Sequence, residues 1–407
     1  MEHRLISAVE GALAWRGSTN LGGKFARGNL GDPDLLQRLL TPNKLLDLVM
    51  RRSLSNPQVR VFREGNELHP REYLSAVSTR RGQNISVVNM HRLGSLLEAG
   101  ATLVLDGGNA FDPTLEVVCR AMQWWAHERV QVNIYATTSD ASGFGLHWDD
   151  HEVLVVQMAG EKTWEVRGPS RISPMFRDSE RNITPSEEIV WEGTMAAGDV
   201  MHIPRGYWHC ATRVGQEKSG HSIHMTFGFP RRTGASWLGW LAEWCRDDEI
   251  FRHNLYRDDS PHEQAQQARE LYGAAQKLIA ARGPSDYLEH VERETTPARQ
   301  VPWIEAFGPL EAVVCTTEFA PRIDVNDDCV EITSSGLRIS LPSEAEHAVR
   351  MLLSGHPVRL VPGNPEMARF HGSIRGLASV FVKEGLCSVL TPELSSGYTD
   401  LVTNATP

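Results

Sequence analysis

The sequence predicts an α+β protein whose core is a small antiparallel β-barrel of the double-stranded β-helix (jelly-roll) kind, flanked by helices. Two observations carry this. Short runs rich in β-branched residues, 153–157 and 200–203, together with the alternating run 162–166, read as strands. They are punctuated by Gly160, by Ala197-Gly198-Asp199 and by Pro204-Arg205-Gly206, so turns fall where a barrel needs corners.

The flanking elements follow in order. Residues 33–40 and 42–49 have helical apolar spacing, and 59–62 reads as a strand. Residues 115–127 read as a helix packed on the barrel. From 233 to 282 the pattern is helical, with Trp237, Leu238, Trp240, Leu241 and Trp244 on one stripe and Ala, Gln and Leu continuing it. Three Trp so close together exceed what a lone helix can hide, so they pack on the barrel or on another copy of the chain. Residues 297–302 read as a linker. Beyond it, strand-like 337–340 and 358–361 alternate with helix-like 342–353 and 374–384, which end at Gly355 and Gly385. That alternation is what a winged-helix module looks like. No basic run accompanies it, so it reads as a structural or protein-contact module with no direct nucleic-acid binding. The expected domains are 1–232, a barrel with N-terminal helical elements; 233–300, helical and of dimerisation type; and 301–407, winged-helix-like.

Composition narrows the function classes. A chain of 407 residues can bury a large core. Its 41% hydrophobic and 23% charged residues are ordinary for a globular protein. No run of apolar residues is long enough for a membrane span, and no signal-peptide h-region follows Met1. Six Cys without a CxxC pair point to reduced thiols and a cytoplasmic location. A net charge of −10 argues against nonspecific nucleic-acid binding and is compatible with a basic protein partner.

Chemistry concentrates in Phe144-Gly145-Leu146-His147-Trp148-Asp149-Asp150 and in Gly198-Asp199 through Tyr207-Trp208-His209. Two imidazoles and one carboxylate are the ligand set of a mononuclear non-haem Fe(II) oxygenase. Alternate residues of a strand share a face, so His147 and Asp149 point one way and Trp148 the other. A later strand then brings His209 across. A barrel with Zn, Mn or Ni on the same ligands remains open. His202 and His221 read as packed or surface residues, and His151 as a rim residue. Asp150, His151 and Glu152 are candidates to hold the second nitrogen of a ligand histidine.

These segments resemble the Jumonji-C (JmjC) type of cupin, the Fe(II)- and 2-oxoglutarate-dependent oxygenases, and within it the ribosomal oxygenases, which hydroxylate His or Arg side chains of ribosomal proteins. The resemblance rests on Asn133-Ile134-Tyr135, a Gly-containing loop, His147-Trp148-Asp149, Gly160-Glu161-Lys162-Thr163-Trp164 and Gly198-Asp199 through Pro204-Arg205-Gly206 to His209, in that order over about residues 130–230. Residues 100–105 resemble the strand leading into that core. The resemblance implies His147, Asp149 and His209 as iron ligands. It implies Lys162, thirteen residues after Asp149, as the basic residue gripping the distal carboxylate of 2-oxoglutarate. Asn133, His224 and Thr226 would line the co-substrate pocket, and Tyr135 the substrate cavity. Two features depart from the family: Gly228 stands where it has Ser, and Thr137-Thr138-Ser139-Asp140 replaces its usual Pro-containing loop.

The activity so implied is hydroxylation of a protein or peptide side chain, such as one of a ribosomal protein, using Fe(II), 2-oxoglutarate and O2 and yielding succinate and CO2. The resembling oxygenases pair two subunits through the region matching 233–300, so a homodimer is expected. The alternatives are the same chemistry on a free amino acid, small metabolite or biosynthetic peptide, or a non-catalytic metal-binding cupin.

Overall fold

The computed structural model describes residues 1–138, 144–212, 220–255, 257, 260–297, 299–360 and 373–403. Nine strands carry the barrel: β1 (Ala26–Asn29), β2 (Val59–Arg63), β3 (Thr102–Leu105), β4 (Gln131–Thr137), β5 (His151–Pro169), β6 (Ile189–Ala196), β7 (Asp199–Ile203), β8 (Tyr207–Thr212) and β9 (Ser222–Pro230). Hydrogen-bonded neighbours run β1-β7-β5-β9-β4-β3-β2, all antiparallel. β6 and β8 pair with the distal half of β5. One strand therefore leaves the larger sheet and enters a second one, and this closes the double-layered core.

The hinge of that passage corrects the expectation of a turn at Gly160. β5 is continuous over 19 residues. Gly160 lies in it at a β-bulge, where the pairing with β9 slips between Ile223 and His224. Its φ of +63° is left-handed, and a Cβ there would stand 1.7 Å from the His221 carbonyl oxygen, so only Gly fits. The Gln157 amide ties the bulge from within, its Nε2 donating to the Ala159 carbonyl and to Ser222 Oγ, both at 2.9 Å. The bulge also inverts the strand's faces. Before it, Val153 and Val155 enter the barrel while Leu154, Val156 and Met158 face the helices. After it, the even positions Trp164 and Val166 enter the barrel.

The outer face of the sheet buries its apolar side chains against the Pro113–Ala126 helix, whose Leu115, Val118, Cys119, Ala121 and Met122 share that core. Each fully buried Leu, Val or Met among them contributes about 1.5–3 kcal/mol. Asp112 caps this helix by accepting from the Leu115 N–H, and Pro113 supplies the favoured first residue. Pro33–Leu39 and Pro42–Arg51 are helices with the same cap-then-Pro signature, from Asp32 and Thr41. The N-terminal helix Arg4–Leu13 is capped by His3, whose Nδ1 accepts from the Leu5 N–H.

His3 is buried, and desolvation pushes its pKa down to about 3. The unfolded chain binds a proton below pH 6.5 that the folded chain refuses. Stability contributed by His3 is therefore whole at neutral pH and falls as pH drops from 6.5 towards 3, by about 1.4 kcal/mol per unit. His3→Asn keeps the cap and removes the titration. Urea denaturation at pH 7 and pH 4.5 should show a smaller acid loss in that variant than in the wild type.

C-terminal to the barrel, Gly234–Trp244, Pro261–Ala281 and Pro284–Glu294 are helices. The Trp stripe packs on the last of them: Trp240 meets Tyr287 and His290, and Arg282 covers Trp244 at 3.7 Å. The described residues of 301–360 and 373–403 form a second core around Val313, Phe381 and Leu386, with Ala312–Cys315 paired to Val358–Arg359 and to Cys387–Val389. The antiparallel run Arg322–Val325, Cys329–Ser334, Leu337–Pro342 extends this module. Only its last strand was anticipated, because the first is short and mostly exposed and lacks an apolar face. Trp124 and Gln123 of the Pro113–Ala126 helix donate to the Thr317 and Glu318 carbonyls and moor the module to the barrel. Among the described residues no helix is long and apolar enough to cross a membrane.

Candidate metal and co-substrate site

His147, Asp149 and His209 come together inside the barrel, with their ligand atoms within 4.8 Å of one another. Asp149 Oδ2 lies 3.6 Å from His209 Nε2, and the two imidazole centroids are 4.4 Å apart. The expectation that His147 and Asp149 sit on a regular strand needs correction. They lie in the approach to β5, where His147 makes an isolated two-hydrogen-bond bridge with His209 and the Asp149 carbonyl accepts from the Gly206 N–H. The turn residue Gly206 thus fixes the HxD segment against β8.

Both ligand-type histidines are oriented by backbone. His147 Nδ1 is 2.8 Å from the Gly145 carbonyl and His209 Nδ1 is 3.1 Å from the Tyr207 carbonyl. A carbonyl only accepts, so each Nδ1 carries the proton and each Nε2 keeps its lone pair for a cation. Burial, then the neighbouring His147, pushes the His209 pKa down to about 4, which keeps its ring neutral. None of the anticipated side-chain holders does this work. Glu152 is buried on His202 at 3.1 Å, and His151 leans towards Asp150 at 3.7 Å. His202 is fully buried and packed, and His221 is exposed.

A cavity of about 260 Å³ opens from the three residues. Lys162, Asn133, His224, Thr226 and Tyr135 line it, so the structure gathers every residue singled out for this site. The cavity has a dry floor and a wetter rim. Lys162, Thr102, His224 and Trp164 are each 5% exposed or less, whereas the Arg60, Asp149 and His151 side chains are about a quarter exposed. Lys162 Nζ is 3.5 Å from Thr137 Oγ1, which is bonded to Thr102. His224 is held well below the ordinary imidazole pKa by burial and then by Lys162. Asn133 is pinned by the Gly107 N–H at 2.9 Å, and Tyr135 stacks on His224 at 4.8 Å. Burial raises the Tyr135 pKa, so its phenol stays protonated.

Sequence reasoning missed Arg60, Phe144 and the inward role of Trp164. Arg60 comes from β2, is clamped on Asp106 by two bonds of 2.6 and 2.9 Å, and carries no spacing relation to the HxD segment. Phe144 packs on Phe62 and Tyr135. Of the atypical loop, residues 139–143 lie outside the described residues. The departure at Gly228 has a steric reason: a Cβ there would lie 3.0 Å from the His151 ring, so the missing side chain is the room that ring occupies. Gly228→Ser should cost about 1 kcal/mol by crowding. Thermal melts of a double-mutant cycle should show that cost disappear in a His151→Ala background.

The JmjC-domain family model matches residues 108–236. That segment, about a third of the chain, is similar to the JmjC domain. Similar curated proteins are the bifunctional lysine-specific demethylase and histidyl-hydroxylase NO66 of Drosophila willistoni, 34% identical over 130 residues, and that of Caenorhabditis briggsae, 34% identical over 132. Each match covers 31% of this chain and, respectively, 17% and 16% of the relative, so the chain spans about a sixth of the length of these relatives. Among solved structures, Escherichia coli YcfD is similar over 95% of this chain and 99% of that one, with TM-score 0.54 and 17% identity. A second structure, the ribosomal oxygenase YcfD in complex with cobalt and 2-oxoglutarate, gives TM-score 0.53 at 18% identity over 90% and 95% of the two chains. The JmjC match brackets β4 to β9, the segment that supplies all three ligand-type residues, and the likeness to YcfD shows a shared fold beyond it.

Proposed function

We propose that this chain is an Fe(II)- and 2-oxoglutarate-dependent hydroxylase of a protein or peptide side chain, of the ribosomal-protein His or Arg type. The observation that carries the reading is the trio of Nε2, Nε2 and carboxylate donors at one end of a cavity whose floor holds a buried lysine. His147, Asp149 and His209 would hold the cation, and the cavity beside them would leave room for further ligands. Lys162 takes the distal carboxylate, with Asn133, Thr226 and His224 along the pocket. Tyr135 borders the space for the target side chain. When bound, iron, keto acid and oxygen supply an oxidative decarboxylation: 2-oxoglutarate, O2 and a C–H bond become succinate, CO2 and a C–OH. The chain's own contribution is to orient these groups and exclude water, which the dry floor does.

Purified protein loaded with Fe(II) should release succinate from 2-oxoglutarate, and proteins from cells lacking the gene should include one lighter by an oxygen atom. No turnover even with cell extract as substrate source would favour a metal-binding cupin. Turnover with unchanged protein masses would favour a small-molecule substrate.

The rest of the chain fits a cytoplasmic homodimer with a winged-helix-like C-terminal module that makes protein contacts. No side chain of the 21-residue Pro261–Ala281 helix is fully buried among the described residues, its own Tyr272 and Ile279 stand exposed, and so do Leu238 and Leu255 of the same helical region. A helix so placed needs a partner surface, because packing rather than propensity supplies most helix stability. Sedimentation should give twice the chain mass for the wild type, and Tyr272→Glu with Ile279→Glu should give the monomer.

A further inference from the structure

The floor of the cavity holds an unexplained donor. Trp164 is 5% exposed, and its indole Nε1 has no hydrogen-bond partner among the described residues. Packing with Val153, Val155, Val166 and Met201 accounts for the ring. It does not account for the nitrogen, since Phe would pack there without a stranded N–H, and a buried unpaired donor is costly. An indole N–H can only donate, so whatever satisfies it must bring an acceptor.

Its position says which acceptor. Trp164 follows Lys162 by two residues beyond the bulge, so both side chains leave β5 on the same face. Its ring stands edge-on to His224 at 5.3 Å and lies 6.4 Å from that of His209, so this part of the floor adjoins the metal-ligand trio. His224 Nδ1 is likewise buried without a partner. We propose that the Trp164 indole N–H donates to the distal carboxylate of 2-oxoglutarate, beside Lys162, as a second fixed anchor. A carboxylate has lone pairs enough for both an ammonium and an indole. The inference rests on the functional reading above.

The test uses the full-length protein loaded with Mn(II), which binds the keto acid without turnover. Calorimetry with 2-oxoglutarate should show Trp164→Phe weakening the co-substrate about tenfold, the size of one hydrogen bond to a charged group. Mn(II) affinity should stay within about twofold, because the variant leaves the metal donors in place. Independently of any variant, one assigned indole N–H resonance of the ¹⁵N-labelled wild type should move downfield on adding 2-oxoglutarate, and also with succinate, which keeps the distal carboxylate. Unchanged co-substrate affinity in Trp164→Phe, or a Trp164 indole resonance that ignores both acids, overturns the anchor while leaving the oxygenase reading intact. A wild type that binds no 2-oxoglutarate overturns both.

Discussion

Asp149→Ala should abolish succinate release while leaving a folded protein. Asp149 is the sole anionic donor of the trio, so its loss leaves two neutral imidazoles to hold a divalent cation. Residues that merely orient a ligand cost 10–100-fold when replaced, so loss of the ligand itself should exceed about 100-fold in turnover and weaken metal binding as well. The fold should survive because the structural bond of this residue is its carbonyl, which accepts from the Gly206 N–H and is kept in the variant. The side chain is itself a quarter exposed. Circular dichroism checks folding, and isotope-labelled 2-oxoglutarate checks turnover. Retained activity would remove Asp149 from the metal shell.

Lys162→Met should separate co-substrate from cation. The side chain is 2% exposed, so the ion pair it forms with an incoming carboxylate is screened little by solvent. Removing one partner of a buried pair costs about 3–5 kcal/mol, or roughly a hundredfold to several thousandfold in affinity. Met keeps most of the volume, so the floor should not collapse. Calorimetry on the metal-loaded protein should therefore show 2-oxoglutarate binding lost and metal affinity nearly unchanged. Equal losses of both would contradict the assigned role of Lys162.

The positions of these residues were largely legible in the chain. His147, Asp149 and His209 stand out because their residue types are scarce and their surroundings alternate and turn as barrel strands do. Asn133, His224 and Thr226 fall at one level or the next of adjacent strands: Thr226 pairs with Asn133, and His224 with Tyr135. Arg60 was not legible, because it reaches the rim from a strand whose place beside β3 is set by long-range pairing. The backbone carbonyls of Gly145 and Tyr207 were invisible for a different reason: every residue has a carbonyl, and only the folded turn aims one at a ring. His151 looked like a rim residue and is one, but its accommodation by Gly228 depends on a neighbour far along the chain. Gly160 read as a turn because Gly signals positive φ without saying whether the chain reverses or only bends.

The bulge has a consequence for which insertions and deletions this chain can survive. His151, the first residue of β5, lines the cavity, and Lys162 stands eleven positions further on, an odd step that on an even zigzag would aim the two side chains in opposite directions. The surplus residue at the Gln157–Gly160 kink restores their agreement. Excising one residue there would straighten the ribbon and turn the ammonium to the outer face, where Glu161, Thr163 and Glu165 now stand, with no chemical group altered. Length between these two points is thus held as tightly as identity at either of them.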